Sequence, residues 1–304
     1  MHLGFAVKVM GEDLPSHDTR RWQNEPHLRV SLERLEAVLR YCDARDIRMY
    51  RMVTGLAPYA SHPDLPRFRS QPADCAEELR AAGALSRSLG IRLSTHPGQY
   101  TVLNSEDERV QRLAVEELEV QAELLDGMEL GPEAVVVLHV GGGAGGKEAA
   151  VDRFLRGVEL LSDAARERLV VENDDRTFGL RDVLEVSSRI GRPVVWDILH
   201  HHCNDPDRIP DRDALELAIG TWPAGVRPKI HYSSPRTAMD ERNGRRVLPP
   251  LRAHADMIDP IGFERFAVDT AQGLEVDVML EAKAKDLALL RLREQLAARG
   301  VEVG

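Results

Sequence analysis

Six apolar, β-like runs in succession each finish on a side chain able to bind a divalent cation. The third run ends in His96, the fourth carries His139 near its end, and the fifth ends in Glu172. The sixth ends in Asp197 and runs on to His200, the seventh ends in His231 and the eighth in Glu281. One histidine after a strand is ordinarily a packing residue with a satisfied partner. Six such groups in order resist that explanation, because buried charges are avoided unless paired or metal-bound. Imidazole with carboxylate, and no thiolate, suits Zn, Mn or Fe. Asp197 and His200 form a D-x-x-H pair, which a helical turn would place on one side. His200, His201 and His202 are consecutive and cannot all face one centre, so His200 is the expected ligand and the other two are expected to support a ligand or to pack. Asn173 and Asp174 either offer an acceptor to a ligand's second ring nitrogen or form a polar turn. His254, in the run His254-Ala255-Asp256, reads equally as a ligand or a surface histidine.

These side chains converge only if the runs are parallel strands. Strands are expected over His2–Val7, Ile47–Val53, Ile91–Ser94, Ala134–Val140, Leu169–Glu172, Pro193–Ile198, Lys229–Tyr232 and Val276–Leu280. Amphipathic or capped helices are expected over Leu32–Cys42, Ala73–Leu89, Glu106–Leu125, Glu148–Arg166, Leu180–Ile190, Asp211–Ile219, Gly262–Thr270 and Ala282–Arg299. The strands are near-continuous apolar runs, as in parallel sheets covered on both faces. Alternation over 304 residues predicts an α/β fold, a single (β/α)8 TIM barrel spanning residues 1–304, with a doubly wound sheet as the alternative. In a barrel the C-terminal strand ends share one mouth, where the metal site is expected. Residues 54–72 and 233–252 are expected to be long loops.

Bulk composition narrows the function. With 40 Lys and Arg against 50 Asp and Glu, the formal charge is −10, which argues against a protein that coats nucleic acid through excess cations. Cys42, Cys75 and Cys203 are too scattered for a thiolate zinc site and fit a reducing cytoplasm. No signal peptide or membrane span is expected.

Gly141–Gly146 with Lys147 fits G-x-x-x-x-G-K, but Glu148 stands where a phosphate loop needs Ser or Thr and would repel a phosphate. A flexible loop is the better reading, and no nucleotide cofactor is expected. Gln99 and Tyr100, after His96-Pro97-Gly98, should project from the mouth, as loop packing or as a stacking probe for a base. Arg51 and Lys229 sit in or beside apolar strands. Lys229 shares a strand face with His231, where an unpaired lysine is costly.

The chain resembles the UV damage endonucleases. The matching pieces run from residue 3 to 285: LGFAV near the start, YRM at Tyr50–Met52, SHP at Ser61–Pro63, HPGQY at His96–Tyr100, LHVGG at Leu138–Gly142, VENDDR at Val171–Arg176, WDILHHHCNDP at Trp196–Pro206, KIHYSS at Lys229–Ser234, HADMI at His254–Ile258 and MLEAKAK at Met279–Lys285. The combination is specific where no single piece is. The resemblance implies a barrel like that of endonuclease IV and two or three divalent metals, Mn²⁺ with Zn²⁺ as the alternative. It implies as metal ligands His96, His139, Glu172, Asp197, His200, His231, His254 and Glu281, with Glu172 bridging. It places His62 near the scissile bond, Gln99 and Tyr100 at the lesion, and a carboxylated lysine at Lys229; Asp256 is a ligand or a neighbour of one. Two departures bear on lesion preference: Phe5 stands where the family often has Tyr, and Val9 where it often has a polar residue. Both fall in a region expected to touch the damaged nucleotides.

The implied activity is metal-assisted hydrolysis of the DNA phosphodiester 5′ to pyrimidine dimers, 6-4 photoproducts and sometimes abasic sites, leaving a 3′-hydroxyl. The expected partner is damaged double-stranded DNA, bound by a monomer. A xylose-isomerase-like sugar isomerase or epimerase is the alternative, since it shares the barrel and a Glu/Asp/His metal site. A general abasic-site endonuclease and a non-catalytic DNA-binding barrel are the others.

Overall fold

Period-two alternation is hidden inside the apolar runs, and it decides where every functional side chain goes. The structure is a computed structural model that describes residues 1–303. Its strands are β1 (Leu3–Ala6), β2 (Met49–Arg51), β3 (Arg92–Ser94), β4 (Val136–His139), β5 (Leu169–Glu172), β6 (Val194–Val195) and β7 (Lys229–Tyr232). A hairpin of β8 (Asp240–Arg242) and β9 (Arg245–Val247) follows, and then β10 (Asp277–Leu280). One parallel sheet has the order β3-β2-β1-β10-β7 and a second has β4-β5-β6. Single parallel bridges link them at both seams, Thr95 to Val136 and Asp197 to His231. Backbone bonds hold the seams: Thr95 N–H donates to Val135 and Val137 N–H to Thr95, each at 3.0 Å, and His231 N–H donates to Trp196 at 3.0 Å. The result is an α/β fold with a curled parallel sheet, as expected in class.

Successive side chains of a strand point to opposite faces. Leu3, Phe5, Tyr50, Leu93, Val136, Leu138, Val171, Val194, Ile230, Val278 and Leu280 join the large core shared with the surrounding helices. The alternate set faces the inside of the curl. Ala6, Met49 and Met279 meet there, as do Val135, Val137, Val170 and Val195. The same set includes Arg92, Ser94 and Lys229, then at the C-terminal ends Arg51, His139, Glu172, Asp197 and His231. Near the N-terminal ends of the strands the nearly buried Arg92 guanidinium pairs with Asp277 at 3.0 Å.

Helix boundaries differ from the sequence expectation where a polar cap intervenes. The helix expected over Glu148–Arg166 is two, Lys147–Glu159 and Asp163–Arg168, because Ser162 caps the second by accepting from Ala165 N–H. The segment Gly262–Thr270 is an α-helix at Pro260–Arg265 followed by a π-helical turn at Phe266–Thr270. The loop at 54–72 contains two short 3₁₀ turns, and that at 233–252 contains the β8–β9 hairpin. Among the described residues no helix is long and apolar enough to cross a membrane.

The sixth strand is shorter than expected because Asp197 starts a helix, Ile198–Cys203, instead of ending a strand. Its carboxylate Oδ1 accepts from His200 N–H at 2.8 Å, which is the usual N-cap bond. The buried Asn173 side chain then substitutes for missing ladder bonds between β5 and β6. Its Oδ1 accepts from Asp197 N–H at 2.8 Å, and its Nδ2 donates to the Asp197 carbonyl at 3.0 Å. Asn173→Ala leaves the buried Asp197 N–H without a partner and is expected to cost about 1–3 kcal/mol of unfolding free energy. Urea unfolding checks this; an unchanged midpoint contradicts the bridging role.

Candidate metal centre

Glu172 closes β5 with no exposed surface, and imidazoles surround its carboxylate. His231 Nδ1 lies 2.7 Å from Oε1, while His96 Nε2 and His139 Nε2 lie 2.9 and 3.4 Å from Oε2. Each comes from a different strand end, brought inward by the same parity. His200 arrives from the capped turn, its Nδ1 3.8 Å from both Glu172 and Asp197. That ring nitrogen also contacts the Asn173 carbonyl at 3.1 Å, so the backbone of Asn173 is the acceptor. Glu281 lies 3.4 Å from His231 Nδ1 and 3.6 Å from His254 Nδ1. The His200 and His254 ring centroids are 6.1 Å apart.

Three overlapping sets of donors could each hold a cation: His96, His139 and Glu172; His96, His231 and Glu281; and Glu172, Asp197 and His200. Within each set the donor atoms lie within 4.8 Å of one another. Asp197 Oδ2 and His231 Nε2 are buried without a hydrogen-bond partner among the described residues. Buried polar atoms normally have one, so an orphaned oxygen and an orphaned ring nitrogen in a mixed imidazole and carboxylate set fit a divalent cation. The donors are the hard-to-borderline kind that suits Mn or Zn.

Electrostatics sharpen the picture. Burial alone would raise the Glu172 carboxyl, but His231, His139 and His96 overcome it and hold the group well below the carboxylate range. Burial likewise works against Glu281, which the Arg51 guanidinium and His231 keep well below its ordinary value. Arg51 forms an ion pair with Glu281. The sequence placed Arg51 as an awkward cation; its register partner Ala6 on β1 shows that it shares the inward parity. Burial pushes the Asp197 carboxyl up to about 7, with Glu172 and Glu281 adding to the shift against His200. His200 goes the other way: burial would lower it, yet Asp197, Glu172 and Glu281 raise it to about 9. Burial lowers His231 to about 4. Burial, with Arg92 and Arg51 nearby, drives Lys229 well below an ordinary lysine. Its Nζ donates to Ser94 Oγ at 3.0 Å.

The remaining sequence-predicted residues scatter. His201 is buried, its Nε2 on the Ile209 carbonyl at 2.9 Å, and His202 pairs with Asp211 at 2.9 Å, so both pack rather than face the centre. Asp174 caps a turn by accepting from Arg176, Thr177 and Phe178. Asp256 is exposed and outside the three sets of donors. His62 lies outside the cluster, exposed and edge-on to Tyr59. It lines a cleft with Tyr100 and Glu117. Tyr100 is 84% exposed, and Gln99 lines a second cleft that reaches His200. Phe5 corrects an expectation: it is fully buried, 5.3 Å from the Tyr50 ring, and has no surface to offer a substrate. It shares the parity of Leu3 and so faces the helices. Val9 is also in that core. Lys147 pairs with Asp182 at 2.7 Å.

Comparison with known proteins places this geometry. The family described as UV-endonuclease UvdE matches residues 24–303. The UV DNA damage endonuclease of Bacillus velezensis is 35% identical over 272 residues, covering 87% of this chain and 80% of the relative. The solved structure of SacUVDE is 30% identical, with a TM-score of 0.83, covering 99% of this chain and all of that one. An AP endonuclease of family 2 from Brucella melitensis shares the fold at 13% identity, with a TM-score of 0.52, covering 98% of each chain.

The raised Asp197 and His200 values would set a pH dependence for a cation held by the Glu172, Asp197 and His200 set. Both are raised in the folded protein, so both hold protons below about 7 and 9 that a cation must displace. Cation affinity is therefore expected to fall as pH drops from 9 through 7. Calorimetric titration with Mn²⁺ in buffers of different ionisation enthalpy should show proton release; affinity flat across this window contradicts it.

Proposed function

Because the chain belongs to the UV-endonuclease UvdE family, and is thus a DNA-repair endonuclease, we propose that it cuts the phosphodiester 5′ to UV photoproducts. Pyrimidine dimers and 6-4 photoproducts are the proposed lesions, abasic sites a further one, and a 3′-hydroxyl the product. The observation that carries this is the convergence of His96, His139 and His231 on the buried Glu172. The family sets aside the sugar-isomerase alternative.

The two sheets, bridged at both seams, are read as one eight-stranded (β/α)8 barrel with the site at its C-terminal mouth, in a single domain. His96, His139, Glu172, Asp197, His200, His231, His254 and Glu281 are the proposed ligands of two or three divalent cations, Mn²⁺ in preference to Zn²⁺. When bound, such cations neutralise a phosphate and lower the pKa of water. The chain's own groups prepare for this. Glu172 stays anionic between imidazoles and can bridge. Arg51 fixes Glu281 on the inner face. Lys229, buried with Ser94 as its partner among the described residues, is proposed to act at the centre as a carboxylated side chain, since burial already disfavours its cationic form. His62, on the wall of the cleft beside Tyr100, is proposed to contact the scissile region.

Damaged bases stack and pair poorly, so extruding them costs less than flipping intact ones. Tyr100, exposed at the rim with Gln99, is proposed to stack in the gap that extrusion leaves. The proposed state is a monomer acting on double-stranded DNA in the cytoplasm.

Metal-loaded protein is expected to nick UV-irradiated duplex and spare unirradiated duplex. Glu172→Gln should reduce that rate by about a thousandfold or more. Irradiated DNA left intact by folded, metal-loaded protein overturns the proposal. Tyr100→Ala should slow incision by roughly 10- to 100-fold, in line with about 1–3 kcal/mol per stacked base, with metal content unchanged.

A further inference from the structure

The β8–β9 ribbon belongs to neither parallel sheet. A two-stranded ribbon alone is marginal in water, and this one leaves Arg245, Arg246 and Val247 exposed along its second strand. Leu248 and Leu251 beyond it are 74% and 64% exposed. Its root, by contrast, is fixed. Pro235 pairs antiparallel with His254, and Ala255 N–H donates to the Ser234 carbonyl at 2.8 Å. The ribbon thus rises from the segment that sets His254 beside Glu281, at the rim of the metal centre.

Its charge runs against that of the chain. Residues 235–252 carry Arg236, Arg242, Arg245, Arg246 and Arg252 against Asp240 and Glu241, within a protein of formal charge −10. Arg236 is engaged with Asp240 at 2.8 Å and Arg252 with Asp175 at 3.1 Å. Arg245 and Arg246 make no ion pair among the described residues. A basic, exposed ribbon anchored beside a phosphodiester-cleaving centre is complementary to a polyanion. Its two-stranded form also fits the width of a DNA major groove.

Resting on the endonuclease reading of the centre, we propose that this ribbon is a second grip on duplex DNA beside the incision point. Arg245 and Arg246 contact backbone phosphates there, and Leu248 and Leu251 lie toward the groove wall. Phosphate contacts position a protein without reading sequence, which is what lesion-dependent cutting requires, since damage can occur in any sequence context.

The test compares metal-loaded wild type, Arg245→Ala/Arg246→Ala and Arg245→Lys/Arg246→Lys on a duplex with one photoproduct. Kd is measured across a salt series, and single-turnover incision at saturating DNA. The alanine variant should raise Kd by about tenfold and flatten the slope of log Kd against log salt by about 2, while the saturated rate stays within about twofold. The lysine variant should restore both. Wild-type Kd and slope in the alanine variant overturn the ribbon's role, including the case in which the exposed face serves a protein partner. Failure of wild type itself to cut the damaged duplex overturns the endonuclease reading instead, so the two failures are distinguishable.

Discussion

A carboxylate withdrawn from water must find positive charge or hydrogen-bond donors within a few ångström, or give up its own charge. Glu172 is the group on which this constraint falls hardest. It is fully buried, and three strand-borne imidazoles meet it. The inward parity of β3, β4 and β7 and the seams between the two sheets all bring charge compensation to that point. The Arg51–Glu281 pair extends the same compensation along the rim. At the opposite end of the curl the Arg92–Asp277 pair obeys the same rule with an ordinary ion pair. What distinguishes the C-terminal end is that carboxylates and imidazoles crowd together there with Asp197 Oδ2 and His231 Nε2 left unpartnered among the described residues.

Much of this was legible because strand ends and parity are local properties of a sequence. The ligand candidates stood at the ends of apolar runs, and His200 was separable from its two neighbours by spacing alone. Parity also explains the misreading of Phe5. Its place in a motif suggested substrate contact, but it is two residues from Leu3 and faces the helices with it. A count of alternation from Leu3 would have found this. Other features had no local signal. Asn173 could be an acceptor or a turn residue, and only the folded juxtaposition of β5 with Asp197 makes its side chain a substitute ladder rung. Arg51 looked like an isolated cation because its partner is 230 residues away. The β8–β9 hairpin falls within a segment expected to be loop, since a short polar stretch carries no apolar alternation to betray its strands.

Charge distribution resolves the conflict between an acidic chain and a polyanionic substrate. Net charge governs solubility and bulk attraction, not the field at one mouth. The carboxylates at the centre are matched by histidines and arginine, while arginines of the β8–β9 ribbon, unpaired among the described residues, stand exposed beyond the rim.

Asp197 has one further consequence. One of its oxygens ties down the first turn of the Ile198–Cys203 helix, and the other points without a partner into the centre. A six-residue helix has little stability of its own. A cation taken up by that free oxygen would therefore join backbone order to the filling of the centre through a single side chain rather than through a long relay. The amide protons of this turn would then be a built-in gauge, their protection from solvent exchange tracking occupancy of the centre without any substrate at all.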